Sequence, residues 1–97
     1  MTQSTEKTFQ LLNQGYSIAD IVNTRQLKKG TIEDHIVELA LKISDFSIEP
    51  FVTVEKQNQI KKVVNETMTK QLRLIQNNVQ DATYFEIRLV LAKDGDR

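Results

Sequence analysis

Lys28, Lys29 and Thr31 stand together just ahead of an apolar helical run, and their chemistry is that of a phosphate grip. Two ammonium groups and a hydroxyl at the positive end of a helix suit backbone oxygens of nucleic acid. Two lysines give only a weak, salt-sensitive hold. A second cationic set, Lys61, Lys62, Lys70 and Arg73, lies further along. Between Val52 and Gln80 there are five basic and two acidic residues, whereas Met1 to Phe51 carries five basic and seven acidic ones. The positive excess therefore lies away from the first grip, and a plain solvated face is the readier account of it, since scattered surface lysines are ordinary.

Other chemistries are poorly supplied. The chain has one histidine, His35, and no cysteine, so zinc ligation, disulfides and thiolate catalysis all lack their residues. Carboxylates alone would need a dedicated loop for a hard cation, and none is visible. No G-x-x-x-x-G-K-[ST] loop, G-x-S-x-G elbow or set of nucleophile, base and orienter occurs. The expectation is a chain that is not an enzyme, with no catalytic residue, metal, cofactor or small-molecule substrate.

Thirteen Lys and Arg against thirteen Asp and Glu leave no net charge, which weakens a dedicated nucleic-acid binder. No apolar run approaches the roughly 20 residues that cross a bilayer, and the polar start lacks a signal-peptide core. A soluble, cytoplasmic protein without membrane contact is expected. At 97 residues one compact domain with a modest core is the natural size, hiding about two-thirds of the unfolded surface.

The elements that must position these residues read as helices, with no convincing strand. Phe9, Leu12 and Tyr16 recur at helical steps beside Leu11, and Gly15 follows as a stop, predicting a helix over about Ser4 to Gln14. Ser17, with Asp20 three residues on, caps a second helix whose stripe is Ile18, Ile21 and Val22. It ends near Arg25, whose cation meets the negative end of the helix. In the third helix Ile32, Ile36, Leu39 and Ile43 share a narrow sector and form the core. His35 lies at its edge, placed to bond a backbone carbonyl. Gly30, Asp34, Val37 and Leu41 face outward, flanked by Glu33 and Glu38, where a base-reading helix would carry Arg, Lys, Asn or Gln. Val37 and Leu41 need an apolar cover, from a later helix of the same domain or from a partner.

Residues 44–52 form a connector in which Pro50 forces extended backbone and Phe46, Ile48 and Phe51 plug the core. Thr53 caps a fourth helix, about Val54 to Glu66, with Ile60, Val63 and Val64 inside and Lys56, Lys61 and Lys62 outside. Leu72, Leu74 and Ile75 mark a short element. Thr83 with Glu86 forms a capping box that opens a last helix through Tyr84, Ile87, Leu91 and Ala92 to Gly95, with a fraying tail beyond. Phe85, Leu89 and Val90 widen its apolar face, so it is buried or pairs with a partner. The predicted fold class is all-α, a helix-turn-helix core over 4–43, winged-helix-like but without a clear wing, followed by helices over 53–93, with five to six helices in one domain.

The run G-Y-S-I-A-D-I-V-N-T-R-Q-L-K-K-G-T-I-E-D-H-I resembles the helicase helix-turn-helix domain found at the C-terminal end of RecQ-type helicases and in bacterial proteins encoded beside them. Ile18, Ala19, Arg25, Leu27, Thr31, Ile32 and His35 occupy its matching places. The later run L-R-L-I-Q-N-N-V-Q-D-A-T-Y-F-E-I-R-L-V-L-A resembles that domain's closing segment. Lys28 departs from related modules, which place a serine or threonine cap there. The resemblance implies a DNA-associated accessory module of a longer protein in a RecQ-type helicase system, its parent a helicase or a helicase partner. The competing expectation is a protein-interaction module, docking a helicase or closing a homodimer through Val37, Leu41, Phe85 or Leu89. A dimeric transcription regulator is a third option that lacks base-reading side chains.

Overall fold

A computed structural model describes residues 1–94, and within them every regular element is helical. The order is α1 (Gln3–Asn13), α2 (Ile18–Arg25), α3 (Lys29–Lys42), α4 (Val54–Thr67), α5 (Leu72–Asn77) and α6 (Tyr84–Asp94). The all-α expectation holds, at the upper end of five to six helices. The expected stop at Gly95 and the tail beyond it lie outside the described residues.

Local chemistry explains the boundaries. The Thr2 hydroxyl accepts from the Thr5 amide at 3.1 Å and opens α1. At the far end Gly15 takes φ +93°, its amide bonds to the Leu12 carbonyl, and the Tyr16 amide bonds to the Leu11 carbonyl. That pair of bonds is a Schellman closure, which glycine allows because it has no Cβ to clash. Ser17 and Asp20 bond reciprocally at the start of α2, and Thr83 and Glu86 do the same ahead of α6. Thr53 caps α4 through the Lys56 amide.

Contacts divide the chain into two compact units, one ending at Ser44 and one beginning at Asp45. The border falls at the start of the predicted connector. In the first unit α1, α2 and α3 touch pairwise. Its buried apolar residues are Ile21, Ile32, Ile36, Val37, Leu39 and Ala40. Ile43, expected in this core, is only half-buried, because α3 closes at Lys42 and Ile43 already has extended backbone at φ −109°, ψ 109°. Val37, placed on the outer side of the helix and expected to need an apolar cover, is buried at 8% exposure, whereas Leu41 is exposed.

In the second unit α4, α5 and α6 also touch pairwise. Ile48, Val52, Ile60, Ile75, Val79, Ala82, Ile87, Leu89, Val90 and Ala92 are buried. The connector supplies two of these and adds rings: Phe46 stacks on Phe51 at 6.3 Å, and Phe51 meets Phe85 edge-on at 6.1 Å.

Candidate nucleic-acid interface

The turn between α2 and α3 consists of Gln26, Leu27 and Lys28. Gln26 adopts the left-handed conformation at φ 54°, which bends the chain sharply without glycine. Lys28 then takes the N-cap place with extended backbone, and no side chain caps the first amides of α3. A hydroxyl performs that task at α1, α2, α4 and α6. Lys28, Lys29 and Gly30 are exposed and Thr31 is half-buried, so the three predicted contact residues do share one turn. The first turn of α3 holds no acidic residue. Farther along, Glu33 and the exposed Asp34 would repel phosphate, which limits any backbone contact to the opening turn.

A polar lattice joins the three helices of the first unit. From the end of α2 the Arg25 guanidinium reaches back to α1, donating through Nη1 to the Ser4 carbonyl at 2.8 Å and to Thr8 Oγ1 at 2.7 Å, and through Nη2 to Ser4 Oγ at 2.9 Å. Arg25 is thus a cross-helix clamp, beyond the helix-end role expected of it. Thr8 Oγ1 lies 2.8 Å from His35 Nδ1, so the histidine's partner is a hydroxyl where a carbonyl was predicted. Beside them Thr2 donates to Thr5 Oγ1 at 3.1 Å and Thr5 donates to Glu38 Oε1 at 2.5 Å. Thr5 and Thr8 are 1% and 0% exposed, and among the described residues no buried side-chain polar atom lacks a partner.

Electrostatics follow from this geometry. Burial, and next the charge of Arg25, hold the His35 imidazole below its ordinary pKa, against the opposing pull of Glu38 and Asp34. Asp20 is held below the usual carboxylate value by hydrogen bonds from the Ser17 backbone and side chain. Sequence reading missed Ser4, Thr5 and Thr8. Their spacing, aimed at an arginine, a histidine and a glutamate on later helices, was the available signal.

The family model described as a helix-turn-helix domain matches residues 4–91. The chain belongs to that family. Protein YpbB of Bacillus subtilis (strain 168) is similar to it, 40% identical over 94 residues that make up 96% of this chain. Those residues are 27% of that protein, so the chain spans about a quarter of the curated relative's length. No solved structure matches.

In this helix-turn-helix chain the remaining candidates fall elsewhere. Lys61 is half-buried and Lys62 exposed on α4, while Lys70 precedes α5 and Arg73 lies in it, both exposed. All four belong to the second unit. Lys56, read as an outer-face lysine, is drawn in by Glu86: its ammonium sits 3.2 Å from the carboxylate and donates to the Asp81 carbonyl at 2.8 Å. Of the partner-facing candidates, Val37 and Leu89 are buried, and Phe85 is half-buried against Phe51. Leu41 alone of the four is exposed, at 49%. Among the described residues no three of His, Cys, Asp and Glu gather as a metal site, and no helix is long and apolar enough to cross a membrane.

Proposed function

We propose that this chain is a non-catalytic, DNA-associating accessory module of a longer protein in a RecQ-type helicase system. One observation carries the DNA part: the opening turn of α3 has two exposed lysines and no side-chain cap, so free cations and uncapped helix amides share one turn. Membership of the helix-turn-helix family supports it. The likeness of the α2–α3 run and the closing segment to helicase accessory domains supports the helicase part. Lys28 and Lys29 hold phosphates, Thr31 adds a hydroxyl, and Lys61, Lys62, Lys70 and Arg73 contribute a second, diffuse attraction. Bases are not read, because Glu33 and Asp34 follow directly on the helix.

The test is binding of the full chain to labelled duplex, forked and single-stranded oligonucleotides across a salt series. Replacing Lys28→Glu together with Lys29→Glu is expected to weaken binding at low salt and to flatten the log–log salt slope by about 2 units, one phosphate for each lysine. Unchanged binding removes the α3 grip. Exposed Leu41 favours a second reading, a docking module for a helicase or a second copy. It gains if duplex is never shifted and the chain's mass in solution rises with concentration.

A further inference from the structure

All three helices of the first unit converge on one buried oxygen, Thr8 Oγ1. It lies on α1, takes a hydrogen bond from Arg25 at the end of α2, and stands 2.8 Å from His35 Nδ1 on α3. A hydroxyl has a single hydrogen. Arg25 fills one of the oxygen's two lone pairs, and the Thr8 hydrogen can point at Nδ1. In that arrangement the imidazole accepts at Nδ1 and carries its own proton on Nε2. All three groups are then joined with a neutral ring.

We propose that Arg25, Thr8 and His35 form a proton-sensitive latch, which fastens α1 to the helix-turn-helix pair while His35 is neutral and loosens when the ring takes up a proton. A protonated Nδ1 aims a second cationic donor at an oxygen already serving the guanidinium, and the Thr8 hydrogen must turn elsewhere. The surrounding charges do not rescue it. From α2 the ring faces Arg25, from α1 it meets the Thr8 hydroxyl, and from its own helix come Asp34 and Glu38. Glu38 already accepts from Thr5, and Asp34 is exposed, so water screens its pull. Burial of the ring, and next the charge of Arg25, outweigh the two carboxylates and leave the imidazole pKa lowered.

The pH window follows from that direction. Above about 6.5 the ring is neutral in both the folded and unfolded chain, and the latch is at full strength. Below about 6.5 the unfolded chain binds the proton first, so stability falls with pH until the depressed folded value is passed. Within the window the opening equilibrium of α1 and α3 rises by up to about tenfold per pH unit. This stands apart from the DNA reading, since none of Arg25, Thr8 and His35 is among the proposed phosphate contacts.

Because His35 is the sole histidine, its ring signals in a nuclear magnetic resonance titration of the full chain report on it without mutation. The expected result is a midpoint below about 6.5 with the neutral proton on Nε2. A midpoint at or above that value, or a proton on Nδ1, overturns the latch. Arg25→Gln should raise the midpoint, and an unmoved one counts against it. His35→Gln keeps an acceptor for Thr8 but cannot titrate. Its α1 and α3 amides should lose their extra opening between pH 7 and 5, after correction for intrinsic exchange; an undiminished loss of protection would also refute the proposal.

Discussion

The two units solve the same packing problem with different materials. In the first, the fully buried positions of α1 are threonines, and bonds from Thr5 and Thr8 to Glu38 and His35 tie it to α3. In the second, every fully buried side chain among the described residues is apolar, with a ring stack and the Lys56–Glu86 pair at its margin. Hydrogen bonds are directional, so a satisfied polar joint selects one helix arrangement where apolar packing mainly selects volume. The contrast teaches where each unit is vulnerable: the first to loss of a hydrogen-bond partner or, by the proposed latch, to gain of a proton, the second to loss of volume.

The largest expected effect tests what the units share. Leu39→Ala in the first and Ile87→Ala in the second should each cost about 2 to 5 kcal/mol, since both side chains are wholly buried. Amide exchange should register each loss in its own unit; if both units opened together on either change, the division would be wrong.

Thr8→Val then separates them. It keeps volume but takes a partner from both Arg25 and His35, and urea unfolding should show a loss of about 1 to 3 kcal/mol. A near-neutral result would reduce the polar joint to ordinary filling. The smallest effect belongs to Lys56→Ala, below about 1 kcal/mol, because the pair with Glu86 is partly open to water at 24% and 15% exposure. A cost above that of Thr8→Val would reverse the comparison.

Helix ends were legible because their signals are local. Ser17 with Asp20, Thr53, Thr83 with Glu86, and Gly15 each act within a few residues, and the boundaries fall within a residue or two of expectation. Faces were less legible. The stripe of Phe9, Leu12 and Tyr16, with Leu11 beside it, marked the apolar side of the first helix, yet Phe9, Leu11 and Leu12 are half-buried and Tyr16 is exposed while Thr5 and Thr8 are covered. Periodicity ranks residues by oiliness, and a threonine with a waiting partner defies that ranking. Of the predicted site, the lysines of the α3 turn were readable from sequence because adjacent residues share a turn wherever the chain goes.

What this sequence determined by itself was an all-helical chain of five to six helices and most of their ends, since caps, stops and stripes act over distances shorter than a helix turn or two. Tertiary structure decided the rest: that Arg25 closes on Ser4 and Thr8, that His35 meets a hydroxyl, that Val37 is covered, and that Glu86 takes Lys56 out of the cationic face. Each partner stands 17 to 30 residues away along the chain, and only the folding of helix against helix brings such groups within bonding distance.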